Sequence, residues 1–145
     1  MTTSDATSDA ARAAADSAPA PASADIGVYG LGVMGANLAR NLARHGHAVA
    51  VFNRTPARTR RLVERHGDEG DFVPATRPAD FVACLRRPRA VIVMVQAGAA
   101  TEAVIDQLRA LLEPGDIIVD AGNTFYRDTQ RREADLRESG IHFVG

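Results

Sequence analysis

The stretch that decides the fold is Ile26-Gly27-Val28-Tyr29-Gly30-Leu31-Gly32-Val33-Met34-Gly35. Its apolar start predicts a strand over 26–29, and the three glycines that follow have G-x-G-x-x-G spacing. Between a strand and a helix, this spacing is typical of a site for the pyrophosphate of a dinucleotide. Gly30 would allow a tight turn, Gly32 would let the backbone approach the phosphates, and Gly35 would let the helix pack closely against the strand. Free N–H groups at the start of the helix would receive the phosphate oxygens.

The rest of the chain alternates short apolar runs with segments of helical spacing. The helix after the glycines has Leu38 and Leu42 on one face and is predicted to end at Gly46. Further strands are predicted over 48–52, 72–75, 90–95, 117–119 and 141–144, and further helices over 56–66, 79–85, 99–112 and 125–138, with Gly67 and Gly140 as helix caps. Right-handed crossovers would assemble these units into a Rossmann-like α/β fold, a doubly wound parallel sheet with helices on both faces.

Composition sets limits on the organisation and the partners of the chain. The 145 residues suit one domain, expected over 25–145, and the Ala-, Ser- and Pro-rich residues 1–24 predict a disordered tail. Since 18 acidic side chains nearly balance 17 basic ones, no overall field favours nucleic acid or an anionic membrane. No apolar run approaches the roughly 20 residues of a membrane span. Cys84 is the single cysteine, and no secretory signal pattern is present, so a cytoplasmic protein is expected.

The residues after the second predicted strand indicate which dinucleotide binds. A site for NAD places Asp or Glu there, where the carboxylate accepts hydrogen bonds from the ribose hydroxyls. This chain has Asn53-Arg54-Thr55 instead. Asn53 brings no negative charge against a 2′-phosphate, while Arg54 offers a planar cation and Thr55 a hydroxyl donor. The sequence therefore predicts NADP. Arg58, one helical turn further on, is either a second cation for this phosphate or a solvated residue.

Two longer blocks carry a resemblance to a known family. The block from Gly30 to Leu42, together with Phe52-Asn53-Arg54-Thr55, resembles the coenzyme domain of the 6-phosphogluconate dehydrogenase family. The block Asp120-Ala121-Gly122-Asn123-Thr124-Phe125-Tyr126-Arg127-Asp128-Thr129 is similar to the D-G-G-N-[ST]-x-Y-R-D-T of that family. The resemblance extends from Ile26 to Gly145. Ala121 replaces the first glycine, and Gln96 stands where the family often has a lysine beside the coenzyme, a change that would weaken NADP binding.

The resemblance implies NADP-dependent oxidation of 6-phosphogluconate, with loss of carbon dioxide to give ribulose 5-phosphate, in the pentose phosphate pathway. It implies that Asn123 holds this substrate near the nicotinamide and that Met34 lies at the nicotinamide end of the coenzyme. The coenzyme site it implies comprises Gly30, Leu31, Gly32, Val33, Met34, Gly35, Asn53, Arg54, Thr55, Val95, Gln96, Ala97 and Asn123. Members of the family are expected to be homodimers.

The same resemblance implies that catalysis needs more than these residues. In the family, a large helical domain follows the coenzyme domain and holds a lysine base and an acidic proton donor. All 17 basic residues of this chain are arginines, and arginine is a poor general base because it keeps its proton. No catalytic residue is therefore assigned, and the chain is expected to bind the coenzyme without turning over 6-phosphogluconate. The motif His45-Gly46-His47 lacks a carboxylate or cysteine partner, so no metal site is predicted.

Two other functions stay open at this point. The chain could be the coenzyme domain of another β-hydroxyacid dehydrogenase or of an imine reductase, which would share the glycines 30–35 but not the block 120–129. From a different class, it could be a non-catalytic module that senses NADP(H) and changes its association with a partner. Taken without the resemblance, Asn123 and Thr124 suit a loop with a helix cap, and Met34 suits a core position.

Overall fold

The computed structural model describes residues 22–145 as alternating parallel strands and helices. In chain order these are β1 (Ile26–Tyr29), α1 (Val33–Arg44), β2 (Val49–Phe52), α2 (Pro56–His66), β3 (Phe72–Pro74), α3 (Pro78–Ala83), β4 (Ala90–Val93), α4 (Ala99–Leu111), β5 (Ile117–Asp120), α5 (Tyr126–Arg137) and β6 (His142–Val144). A 3-10 turn, Gly67–Glu69, follows α2. None of the helices in this part of the chain combines the length and apolarity needed to cross a membrane.

The six strands form one parallel sheet in the order β3-β2-β1-β4-β5-β6. The chain builds the sheet outward from β1 to β3, then returns to the other side of β1 with β4. This confirms the predicted doubly wound fold. In such sheets, ligands bind in the crevice where the strand order reverses, outside the carboxyl ends of the central strands. Here that crevice lies at the ends of β1 and β4.

Two apolar cores cover the two faces of the sheet. On one face, side chains of β1 and β2 pack against α1 and α2, with Val28, Val51, Ala39 and Leu62 buried together. On the opposite face, the larger core includes Phe81 of α3, Leu108 of α4 and Leu136 of α5, and side chains of the central strands pack against it. Alternate residues of one strand therefore enter different cores, as expected for a parallel sheet that is covered on both sides.

The start of α1 lies in direct backbone contact with the end of β1. Gly30 has a φ of 105°, a left-handed conformation that favours glycine. A Cβ atom on Gly35 would lie 1.9 Å from the Gly30 carbonyl oxygen, far inside van der Waals contact. The roles predicted for these two glycines, a tight turn and close helix packing, are therefore confirmed.

Several predicted boundaries differ from the structure. Gly46 and Gly140 adopt the expected left-handed conformation after α1 and α5, but Gly67 does not, because its φ is −62° and the chain continues into the 3-10 turn. The strand predicted over 90–95 ends at Val93, since the chain then turns into the loop before α4.

The domain also begins earlier than the sequence predicts. Ala24, assigned to the tail, is buried and forms a bridge with Leu85, and both Ser23 and Ala24 donate backbone hydrogen bonds to the Cys84 carbonyl. An alanine is small enough to pack there, which a composition argument does not detect. The rest of the predicted tail, residues 1–21, lies outside the described residues.

A substitution of Gly35→Ala tests the contact between α1 and β1. The added methyl group would force the backbone of Gly30 and α1 apart, so we expect a loss of about 2–3 kcal/mol in the free energy of unfolding, measured by denaturant titration. Gly67→Ala is the matched control, because its backbone is right-handed and a Cβ atom there would meet no atom closer than 3.7 Å. The control should be neutral or gain up to about 1 kcal/mol. Equal effects of the two substitutions would contradict this account.

Candidate coenzyme-binding site

The first turn of α1 presents free backbone N–H groups at the edge of the crevice. The helix has Gly32 as its N-cap, with no side-chain cap hydrogen bond and no acidic residue in the first turn. Val33 and Met34 are 80% and 72% exposed. Since the first N–H groups of a helix have no partner within the helix and carry partial positive charge, this end is suited to a phosphate.

The reason for a glycine at position 32 differs from the reasons at positions 30 and 35. Its φ of −66° is accessible to any residue. A Cβ atom there would lie 3.7 Å from Nη1 of Arg58, and no other atom would be as close. Folding therefore does not require glycine at this position. The missing side chain leaves space over the free N–H groups, which fits a phosphate bound against the backbone.

Asn53 ties the glycine loop to the end of β2. Its side-chain oxygen accepts a hydrogen bond of 2.8 Å from the backbone N–H of Leu31, and its Nδ2 donates to the Thr55 carbonyl at 3.2 Å. Arg54 and Thr55, the other two residues of the predicted NADP motif, are exposed. The sequence indicated only the absence of charge at Asn53, because a contact with a loop 22 residues earlier leaves no local pattern.

A cavity of about 550 Å³ opens between the carboxyl ends of β1, β2 and β4 and the helix α4. Of the predicted site residues, it brings together Gly30, Asn53, Arg54, Val95 and Gln96. Its other lining residues were not assigned to the site from the sequence: Tyr29, Phe52, Pro78, Ala100, Ala103, Val104 and Gln107. The four from α4 have i, i+3, i+4, i+7 spacing and therefore share one face of that helix.

A second cavity, of about 390 Å³, lies between α1 and α2. The predicted residues Leu31, Gly32 and Val33 line one end of it. Arg58, Arg61 and Arg65 line it from α2, together with Ala36, Asn37, Leu62 and His66. Arg58 is exposed, and its guanidinium lies beside Gly32, in a different cavity from Arg54, so its role as a second cation for the 2′-phosphate stays a prediction. The i, i+3, i+7 spacing of the arginines on α2 was a signal available in the sequence.

The remaining predicted residues line neither cavity: Met34, Gly35, Thr55, Ala97 and Asn123. Gly35 acts in packing, as described above. Ala97 and Asn123 are exposed in the loops that follow β4 and β5. Both loops leave the carboxyl edge of the sheet, the same edge as the glycine loop, so Asn123 lies at the edge that holds the crevice but lines neither cavity.

The loop that carries Asn123 is held by a buried carboxylate at the end of β5. Oδ1 of Asp120 accepts a hydrogen bond of 3.0 Å from the Gly122 N–H, and its Oδ2 accepts one of 2.7 Å from the Thr124 hydroxyl. Arg132 of α5 is 3% exposed and lies 3.5 Å from the same oxygen, while its Nε donates to Glu102 of α4 at 2.9 Å. This network fixes the loop to two helices.

Thr124 therefore has a different role from the helix cap that its residue type suggests. Phe125 is the N-cap of α5, without a side-chain cap, and the Thr124 hydroxyl bonds to Asp120 instead. Asn123 also lacks the left-handed conformation that Asn tolerates, since no non-glycine residue in the described range has a positive φ. Within residues 22–145, no group of three or more His, Cys, Asp or Glu side chains is placed to hold a metal ion.

Comparison with known proteins agrees with this geometry. A family model described as the NAD binding domain of 6-phosphogluconate dehydrogenase matches residues 25–145. The chain belongs to the 6-phosphogluconate dehydrogenase family. A decarboxylating 6-phosphogluconate dehydrogenase from Chlamydia muridarum is 45% identical over 124 residues, which make up 86% of this chain and 26% of that relative. The chain thus spans about a quarter of the length of the curated 6-phosphogluconate dehydrogenases that it matches.

Among solved structures, a 6-phosphogluconate dehydrogenase is more similar to this chain than an imine reductase is. The 6-phosphogluconate dehydrogenase of Plasmodium falciparum, described in its apo form and with NADP+ or 6-phosphogluconate, has a TM-score of 0.79 and 34% identity, covering 83% of this chain and 26% of that chain. An imine reductase from Pseudomonas has a TM-score of 0.66 and 27% identity, covering 83% and 39%. Both values are lower, so the 6-phosphogluconate dehydrogenase family is favoured over the imine reductase alternative.

Substitution of Arg132→Met tests the network under the Asn123 loop. It would leave the buried Asp120 carboxylate without its cation, so we expect the free energy of unfolding to fall by about 3 kcal/mol. The neighbouring Arg131→Met is the control. Arg131 is 59% exposed and pairs with Glu102 and Asp128 at the surface, so its loss should cost less than about 1 kcal/mol. Chemical denaturation of both variants at neutral pH measures the difference, and similar values would refute the structural role of Arg132.

Proposed function

We propose that this chain binds NADP, with the pyrophosphate on the glycine loop and the adenosine half in the cavity between β1, β2 and α4. The observation that carries the proposal concerns Gly32. Of Gly30, Gly32 and Gly35, it is the one at which the fold does not require glycine, since its backbone conformation is open to any residue and a Cβ atom would meet no close contact. Gly32 precedes the free N–H groups of α1, Arg58 lies beside it, and Arg54 lines the cavity that begins at Gly30. These groups supply the hydrogen-bond donors and positive charge that a dinucleotide with three phosphates requires.

The preference for NADP over NAD is supported by the residues after β2. Both ends of the Asn53 amide are engaged by backbone groups, so this side chain stabilises the loop and brings no carboxylate to the ribose. Arg54 has no carboxylate within salt-bridge distance in the described part of the chain, which leaves its guanidinium available to a 2′-phosphate. The Plasmodium falciparum relative, whose structure was solved in complex with its cofactor NADP+, agrees with this assignment.

For the whole enzyme, we propose the oxidative decarboxylation of 6-phosphogluconate to ribulose 5-phosphate. The coenzyme would supply the hydride acceptor for oxidation at carbon 3. Asn123, fixed through Asp120 and Thr124, would position the substrate at the nicotinamide end, beside Met34. The lysine base that the family resemblance implies has no counterpart among these residues, because the sequence has no lysine and arginine keeps its proton, so the part proposed for this chain is to hold the coenzyme and the substrate.

Some expectations from the sequence stay predictions. These are the homodimer implied by the family, the cytoplasmic location, and the lack of nucleic-acid and membrane partners. A module that senses NADP(H) without catalysis would use the same coenzyme site, and no feature of the described residues favours it over the enzyme.

The role of Arg54 can be tested with Arg54→Asp. The substitution removes charge-assisted hydrogen bonds to the 2′-phosphate and adds repulsion, so NADP should bind at least about 10-fold more weakly while NAD changes little. Calorimetric titration with each dinucleotide at one salt concentration measures both affinities. Arg60→Asp makes the same charge change on the exposed surface of α2, outside both cavities, and should leave the preference intact. An unchanged NADP affinity in Arg54→Asp would exclude Arg54 as the group that recognises the phosphate.

Gly32→Ala tests the placement of the pyrophosphate. A methyl group over the helix N–H groups should weaken the binding of NADP and NAD alike by about 10-fold or more, since hydrogen bonds to a charged group are lost. The free energy of unfolding should stay within about 1 kcal/mol of the parent, because the side chain meets open space. Binding unaffected by the methyl group would place the phosphates elsewhere.

A further inference from the structure

A hydrogen-bonded pair, the buried Tyr29 and the exposed Gln107, lies on the wall of the cavity between β1, β2 and α4. The hydroxyl of Tyr29 donates to Oε1 of Gln107 at a distance of 2.6 Å, joining the last residue of β1 to the third turn of α4. Both residues line the cavity. Neither belongs to the motifs by which the sequence resembles its family, and neither is needed to hold the glycine loop.

Most of the other residues that line this cavity are apolar, and they favour a ligand with an apolar surface. Phe52, Pro78, Ala100, Ala103 and Val104 surround the pair, and the rings of Tyr29 and Phe52 lie 4.8 Å apart between centroids. A flat heterocycle suits such walls, since it buries its faces against apolar groups. Arg54 lies at the same cavity and can stack on a ring through its planar guanidinium.

The pair also fixes how the Gln107 amide is turned. Because its oxygen accepts from the Tyr29 hydroxyl, its Nε2 is left with two hydrogens, for which the described residues supply no acceptor. The oxygen keeps a second lone pair. Burial raises the pKa of the Tyr29 hydroxyl above its ordinary value, while Arg54 lowers it by a smaller amount. The phenol therefore keeps its proton at neutral pH and remains the donor.

We infer that the Gln107 amide, oriented by the Tyr29 hydroxyl, recognises the six-position edge of an adenine base. This inference rests on the proposed binding of NADP and specifies how its base is selected. A glutamine amide pairs with adenine through two hydrogen bonds, donating to N7 and accepting from the N6 amino group. Hypoxanthine has an oxygen at the six position, which would face the lone pair of the Gln107 oxygen and repel it.

The experiment compares NADP with its hypoxanthine analogue, deamino-NADP, in calorimetric titrations of the full chain. The parent should bind NADP about 10-fold more tightly, since a bidentate pair of this kind discriminates by about that factor or more. Gln107→Leu should reduce the ratio to about twofold or less. Tyr29→Phe should give an intermediate ratio, because the amide is then free to turn its NH2 group toward the oxygen of hypoxanthine.

The ratio of the two affinities separates recognition from structural damage. A packing defect weakens both dinucleotides equally and leaves the ratio unchanged, whereas loss of recognition changes the ratio. Gln130→Leu makes the same side-chain change at an exposed position of α5 and should keep the ratio of the parent. Thermal unfolding of each variant verifies that it is folded.

Three outcomes contradict the inference, and they differ from one another. If the parent binds NADP and deamino-NADP equally, or if Gln107→Leu keeps the ratio of the parent, the base is not recognised through this amide, while the proposed function stands. If the parent binds neither dinucleotide, the proposed function fails and the inference fails with it.

Discussion

The backbone contact between Gly30 and Gly35 is the constraint on which the rest of the site depends. Because Gly35 has no side chain, the first turn of α1 packs directly against the carbonyl group of Gly30. This contact brings the axis of α1 close to β1. The start of the helix then lies at the carboxyl edge of the sheet. Since the strand order reverses at β1 and β4, this edge is also where a crevice must form. The two cavities lie on either side of the contact.

Charge is distributed unevenly around this contact although the chain is nearly neutral overall. Arg40 and Arg44 of α1 share the carboxylate of Glu69, whose pKa lies well below its ordinary range because both guanidinium groups bond to it. Arg58, Arg61 and Arg65 have no such carboxylate among the described residues. These three arginines line the same cavity as Leu31, Gly32 and Val33, so their positive charge lies next to the glycine loop, where anionic groups of a ligand would lie.

Local patterns were enough to predict the fold and the glycine loop, because strand, turn and helix signals lie within a few residues of one another. The same patterns failed where a residue acts through a distant partner. Asn53 accepts a hydrogen bond from a residue 22 positions earlier. Arg132 lies in a polar segment but is buried, where it pairs with Asp120 and Glu102. Gln107 is an exposed residue of α4, and its bond to Tyr29 of β1 leaves no local pattern in the sequence. In each case the partner is brought close only by the crossovers of the sheet.

The position of Tyr29 has a spectroscopic consequence. The chain has no tryptophan and two tyrosines, of which Tyr126 is exposed and Tyr29 is buried at the cavity with its hydroxyl bonded to an amide oxygen. The near-ultraviolet circular dichroism of the folded chain should therefore arise largely from Tyr29 and its neighbouring phenylalanines. Any molecule that enters the cavity would change the surroundings of Tyr29. The near-ultraviolet signal of the protein should therefore report whether the cavity is occupied, without an added label.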